Sequence, residues 1–422
     1  MNTACLHYDT LAGQPRFFGR WSTSGAWIHE TRTVGYDQTM EQVPTSQCST
    51  PDPDGLPDAA WRQHFRKQLR TWYARHARDL PWRRRSDPYA IWVSEIMLQQ
   101  TQVATVTPYF ERFLAAFPTI PALAAADRQR VLQLWEGLGY YRRASQLHEA
   151  AAKIVREHEG QFPRDPQAVA RLPGIGRYTA GAILSIAFDA RQPILEANTL
   201  RLFCRLLGYR GDPRSAAGQR LLWATAEVLL PRRGSGGFNQ ALMELGGQVC
   251  LPRAPHCEAC PVAALCRAQQ EQAQAEIPRA KVKPPPEPRH EAAVVIHRDG
   301  KVLLVQCGPR QRWAGLWDFP RYRVHSQTDG ALLHELGEAL CNETGLRVRF
   351  GRRLATFKHT VTRFRIRLDC YEAGYVSGPA QPIELPHMQW LTPAQLDHYP
   401  LCTTGREICR LVQASTSRSD AL

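Results

Sequence analysis

Four cysteines, Cys250, Cys257, Cys260 and Cys266, fall within seventeen residues at the spacing C-x6-C-x2-C-x5-C. Thiolates are soft, anionic ligands. Three packed around a tight C-x2-C turn, with a fourth from upstream, wrap one iron–sulfur cubane. Zinc and plain buried thiols are the competing readings, but zinc ribbons present two C-x2-C pairs and only one exists here. The expected cofactor is a [4Fe-4S] cluster. A second segment, LPGIGRYTAGAI from Leu172 to Ile183, points to phosphate. Gly174 and Gly176 allow a tight turn with outward backbone N–H groups, a helix N-terminus follows at once, and Arg177 adds a cation. An ordinary helix–turn–helix corner is the alternative.

The elements that must carry these residues lie in a basic chain. Its 422 residues have room for two or three domains. Lys and Arg number 53 against 39 Asp and Glu, a net charge of +14 that favours a polyanion, nucleic acid ahead of a membrane surface. No apolar run approaches the ~18 residues that span a bilayer, and the first residues lack a hydrophobic signal core. A cytoplasmic protein is expected, associated with the nucleoid if bacterial, and twelve cysteines fit a reducing compartment. No dimerisation heptad is present, so a monomer is expected.

Residues 1–56 carry little periodicity and end in turn-rich STPDPDGLPD, which reads as a poorly ordered extension. Residues 57–266 alternate helical patterns with Gly and Pro breaks and show almost no strand signal. One apolar helix is expected from Ile91 to Val106. Residues 267–290 are polar and then proline-rich, the composition of a stiff linker. In residues 291–415, AAVVIHRDGKVLLVQC reads as two strands around Asp299 and Gly300, with further strands at RLATFKHTV and FRIRLDCYEAGYV and a helix near ALLHELGEALCNE. The fold class is multi-domain: an all-α domain with a cluster loop, then an α+β domain.

The hairpin segment, the cysteine spacing, WVSEIMLQQTQV (residues 92–103) and GLGYYRRA (residues 137–144) together resemble the MutY adenine DNA glycosylases, a branch of the endonuclease III superfamily. The resemblance runs from about Trp61 to the end of the second domain. It implies a helix-hairpin-helix glycosylase domain followed by a MutT-like, Nudix-related domain. Cleaving a purine N-glycosidic bond asks for an acid to protonate the leaving base and an anion to stabilise an oxocarbenium-like sugar. By resemblance Glu95 is the acid, and burial in an apolar helix would keep its proton available near neutral pH; the alternative is an exposed helix face. Glu196 takes the place of the family's Asp, and Ala197 that of its Gly, while Asn198 is retained. Glu196 is expected to stabilise the sugar cation, against a reading in which it caps a helix beginning at Asn198.

Bifunctional relatives carry a Lys where this chain has Tyr178, so a monofunctional enzyme is expected; Tyr178 as a core aromatic is the alternative. Gln99, Gln100 and Tyr140 match family positions that wedge into the duplex or read the opposite base. Each also suits a helix surface or a packed ring. Trp82, Arg83, Leu98 and Glu244 match the lining of the adenine pocket, Glu244 having a neighbouring Arg as its other possible partner. In the second domain only Glu338 and Glu343 are acidic within EALCNETGL, so nucleotide hydrolysis is not expected. Val361, Thr362 and Arg363 replace the family's Phe-Ser-His triplet. Thr362 keeps a hydroxyl for lesion reading, against a purely structural hairpin. Arg253, in the cluster loop, is a candidate phosphate contact.

These residues favour a monofunctional glycosylase of base excision repair whose partner is double-stranded DNA holding adenine opposite 8-oxoguanine or guanine. Glu196 and the altered triplet leave two alternatives: a glycosylase for another mismatched base such as thymine opposite guanine, and a lesion-binding protein without catalysis.

Overall fold

The computed structural model describes residues 56–280, 284–326, 328–378 and 388–419. Apart from Leu56, the expected N-terminal extension lies outside the described residues.

Among the described residues twelve α-helices come first: α1 (Ala59–His76), α2 (Pro88–Leu98), α3 (Val103–Ala116), α4 (Ile120–Ala124), α5 (Arg128–Trp135), α6 (Arg142–His158), α7 (Pro166–Ala170), α8 (Arg177–Phe188), α9 (Ala197–Leu207), α10 (Ala216–Leu229), α11 (Ser235–Gln248) and the short α12 (Arg267–Gln270). Local chemistry sets many of the starts. Asp58, Asp87, Asp127, Asp165 and Ser215 each cap a following helix with a side-chain oxygen, and Pro88 and Pro166 occupy first-turn positions that need no N–H donor. The helix expected from Ile91 to Val106 is two helices. It breaks after Leu98, where Gln100 sits at φ 58 and cannot continue a right-handed turn.

Two apolar cores divide the helical half. One is built from α2 to α8 around Trp92, Phe113 and Trp135, the other from α1 and α9 to α11 around Phe65, Phe203 and Phe238. The second core extends past the expected domain end at residue 266. Ala268, Ala273 and Ile277 are buried in it, and Arg205 Nε donates to Ile277 O at 2.8 Å. The first half of the expected linker is thus packed chain, because its alanines and Ile277 find apolar partners that composition alone does not disclose.

The second domain is a mixed sheet: β1 (Glu287–Arg298), β2 (Lys301–Gln306), β3 (Trp317–Asp318), β4 (Arg321–Arg323), β5 (Arg347–Val361), β6 (Phe364–Ser377) and β7 (Met388–Leu391). The main order is β3-β2-β1-β6-β5, with β1 and β6 parallel and the other pairs antiparallel. Side chains alternate across β1: Ala292, Val294 and Ile296 pack under α13 (Asp329–Thr344), while Ala293 and Val295 pack under α14 (Thr403–Ser419). A helix on each face explains the unbroken apolar run AAVVI. The hairpin at Asp299 and Gly300 is present, while β1 begins at Glu287, earlier than the expected Ala292.

Candidate active site

Glu95 lies on α2 with only 6% of its surface exposed, among Trp92, Ile96 and Met97. Tyr178, in the first turn of α8, donates its hydroxyl to Glu95 Oε2 at 2.8 Å. Burial pushes the Glu95 carboxyl up to about 7; Glu196 adds to the rise, and Tyr178 and Arg83 oppose it. A carboxyl poised there carries a proton near neutral pH. Burial beside Glu95 and Glu196 also holds the Tyr178 phenol well above its ordinary range, so it stays a donor. Carboxylates supported by both helical cores therefore meet at one place.

Glu196 is the N-cap of α9, which begins at Ala197. Its two carboxylate oxygens accept from Asn198 N at 2.7 Å and Thr199 N at 2.9 Å, and Thr199 Oγ1 accepts from Glu196 N at 2.8 Å, a capping box. Capping and proximity to Glu95 coexist: the extra methylene is taken up by folding the carboxylate back onto the helix start. Burial raises the Glu196 pKa, and the two N–H donors pull it down. Asn198 Oδ1 accepts from Arg201 Nη2 at 2.9 Å, and Arg201 Nε reaches Cys250 O at 2.7 Å. Gly246 lets α11 approach this corner, since a Cβ there would press on Asn198 Cβ at 2.8 Å.

Glu244 is fully buried and committed to arginine. Arg78 donates to it through Nε at 2.7 Å, Nη2 at 2.9 Å and its backbone N at 3.1 Å, Arg83 through Nη2 at 2.6 Å, and Gln248 is a third donating residue. Burial would raise its pKa, but Arg78 and Arg83 hold it down to about 2. Of the two readings of Glu244, pairing with an Arg is the one the geometry realises. Trp82 is buried edge-on against Phe110 at 5.4 Å in the first core, and Leu98 is half-buried beside it.

Gln99 Nε2 donates to Thr179 Oγ1 at 3.3 Å, while Gln100 and Tyr140 are exposed and hold left-handed backbone at φ 58 and 47. Such conformations for non-glycine residues concentrate at functional loops. Arg143, not singled out by sequence, joins the two segments. Its Nη1 donates to Ile96 O and Met97 O at 2.9 Å and also to Gln99 O, and its Nη2 to Leu138 O and Gly139 O at 3.2 Å. Gly174 has φ 76, Gly176 is the N-cap of α8 with no side chain capping the helix, and the exposed Arg177 stacks on Trp223 at 3.7 Å. Thr362 is exposed at the β5–β6 turn, at φ 52, its hydroxyl donating to Val361 O at 2.7 Å. Arg363 pairs with Glu287 at 3.6 Å, and Arg253 is exposed.

Cys250, Cys257, Cys260 and Cys266 line one cavity together with Leu202, Arg205 and Val262. Burial raises the thiols of Cys257, Cys266 and Cys260, the last up to about 12. Arg205 Nη1 donates to Cys250 Sγ at 3.4 Å and Gln274 Nε2 to Cys257 Sγ at 3.9 Å. Among the described residues, no group of three or more His, Cys, Asp or Glu closes on a single ion. Four thiols spread around a cavity, with N–H donors aimed at sulfur, suit a cluster better than one small cation.

Residues 93–227 match the HhH-GPD superfamily of base excision DNA repair proteins, and residues 291–411 match the NUDIX domain. The chain is 34% identical to an adenine DNA glycosylase of Rattus norvegicus over 406 residues, covering 83% of this chain and 78% of that protein. It is likewise 34% identical to one of Homo sapiens over 413 residues, covering 84% and 75%. A solved thermostable thymine-DNA glycosylase is 29% identical, with a TM-score of 0.47 over 50% of this chain and 98% of that one. The chain belongs to the adenine DNA glycosylase family.

Proposed function

We propose that this DNA glycosylase of base excision repair is a monofunctional hydrolase that releases adenine opposite 8-oxoguanine or guanine, with Glu95 as the proton donor. The observation that carries the reading is the buried Glu95 carboxyl, raised to about 7 and bonded to the Tyr178 hydroxyl with Glu196 in electrostatic reach. Glu95 gives its proton to the departing base. As the glycosidic bond breaks, the sugar gains positive charge, and the Glu196 carboxylate faces it. Glu95, now ionised, accepts a proton from the attacking water. Tyr178 orients Glu95, and Asn198, held by Arg201, steadies the Glu196 corner. A tyrosine at the hairpin position supports hydrolysis over a Schiff base, which needs an amine. Gly174, Gly176 and Arg177 offer the uncapped α8 N-terminus and a cation to one phosphate. Gln99, Gln100 and Tyr140 meet the duplex where the adenine leaves it, and Thr362 faces the opposite base. Cys250, Cys257, Cys260 and Cys266 would hold a [4Fe-4S] cluster, which supplies a structural cross-link and no redox step.

Single-turnover release of base from duplexes with adenine opposite 8-oxoguanine, adenine opposite guanine and thymine opposite guanine tests the reading. The wild type is expected to release adenine, fastest opposite 8-oxoguanine, and Glu95→Gln to slow release by about 10²- to 10⁴-fold. Release of thymine with adenine spared, or adenine release unchanged by Glu95→Gln, overturns it.

A further inference from the structure

The loop between α5 and α6 has a backbone that few sequences tolerate. Gly137, Gly139 and Tyr140 lie at φ 98, 70 and 47. A side chain at Gly137 would collide with the Tyr109 hydroxyl. A tyrosine in left-handed backbone is strained and persists only where its surroundings over-determine it.

Two sets of groups do so. Within the helical domain, Tyr109 donates to Glu136 O at 2.7 Å, Gly137 N donates to the Tyr141 hydroxyl at 3.1 Å, and Arg143 holds Leu138 O and Gly139 O. From the second domain, Arg406 on α14 forms a two-point ion pair with Glu136, Nε to Oε1 at 2.7 Å and Nη2 to Oε2 at 3.0 Å. The Leu401 amide donates to the same carboxylate at 3.1 Å, and Leu401 O accepts from the Tyr141 hydroxyl at 3.3 Å. Glu136 begins the loop and Tyr141 ends it. The second domain therefore grips both ends and leaves Tyr140, 54% exposed, projecting between them.

This is no isolated surface bridge. The Arg406 and Glu136 side chains are only 16% and 18% exposed. Arg406 also donates to Leu396 O and Tyr399 O, tying α14 to the turn before it. Beside the pair, Trp317 Nε1 donates to Gln129 Oε1 at 3.0 Å, and Leu316 and Cys402 of the second domain are buried in the first helical core.

We infer that Arg406 and Glu136 are a clamp through which the second domain positions Tyr140 against the duplex, which makes Arg406 a specificity-positioning residue for adenine release. The inference rests on the proposed role of Tyr140 at the duplex. Single-turnover rates opposite 8-oxoguanine and opposite guanine, measured on the full chain, test it with Arg406→Gln, Glu136→Gln, Tyr140→Ala and the Arg406→Gln/Tyr140→Ala double variant. Arg406→Gln is expected to lower the ratio of the two rates on the order of 5- to 10-fold. Glu136→Gln should reproduce the loss, and Arg406→Gln should add nothing once Tyr140 is Ala. A merely structural role would lower both rates together and leave the ratio intact, which overturns the clamp. Full additivity with Tyr140→Ala overturns it as well and leaves the Tyr140 reading standing. An unchanged ratio in Tyr140→Ala removes the Tyr140 reading and the clamp with it. If Arg406→Gln does not fold, Glu136→Gln alone, which keeps a neutral acceptor for the Leu401 amide, decides by the same outcomes.

Discussion

On the proposed mechanism Glu95 keeps a proton at a pH where most carboxyls have lost theirs, and burial is the means. The sign of the stability linkage follows from the direction of the shift. Raised from 4.5 to about 7, the carboxyl contributes its full share to stability below about pH 4.5 and loses it as pH rises through about 7. Glu95→Gln escapes that loss, so it is expected to match the wild type near pH 4.5 and exceed it by up to about 3 kcal/mol above pH 7. Urea denaturation at both ends of the window checks this. The rate takes the same sign, because a general acid works only while protonated, so adenine release should fall above about pH 7. The Tyr178 hydroxyl favours the ionised carboxylate, so Tyr178→Phe should move the falling limb of the pH–rate profile to higher pH. As candidates, Glu95, Tyr178 and Glu196 were legible in the sequence because each sits in a short motif. For Glu244 two readings stayed open, since the deciding partner, Arg78, is 166 residues away.

At the scale of elements, α2 and the loop before α6 face the same side because one guanidinium bonds to both. Arg143 offers planar donors to carbonyls at the end of α2 and to two more in the loop, a geometry that a lysine's single ammonium cannot reproduce. Arg143→Lys is expected to cost about 2 to 4 kcal/mol, because buried carbonyls lose their donors. A thermal melt compared with that of the exposed Arg142→Lys checks it. The sequence gives no warning of this, as GLGYYRRA contains two adjacent arginines and only the fold buries the second. The break between α2 and α3 was hidden for a related reason. LQQTQV has no Gly or Pro to mark it, and the left-handed turn at Gln100 is flanked by bonds from the distant Arg143 to Gln99 O and the Thr101 hydroxyl.

At the scale of the whole molecule, the cluster loop serves as a junction. Arg201 runs from Asn198 to the Cys250 carbonyl, and Arg205 runs from the Cys250 sulfur to Ile277. On the proposed cluster assignment, loss of the cluster should be felt at the Glu196 corner and at the chain leaving the helical domain. Cys257→Ser is expected to lose its iron, its solubility and its retention of duplex DNA; iron content and a duplex-binding titration check this, and full binding without iron would remove the structural role. The C-x2-C spacing marked the loop, and apolar strand segments around the Asp299–Gly300 turn marked the sheet. The seam between the domains was not legible, since Glu136 and Arg406 are 270 residues apart and neither belongs to a motif.

The stacking of Arg177 on Trp223 has an optical consequence. Before a phosphate arrives, the cation that the hairpin offers rests 3.7 Å from the centre of an indole ring. On the proposed hairpin role, docking draws that charge away from a fluorophore, so the part of the intrinsic emission that Trp223→Phe removes serves as a gauge of phosphate capture that needs no label.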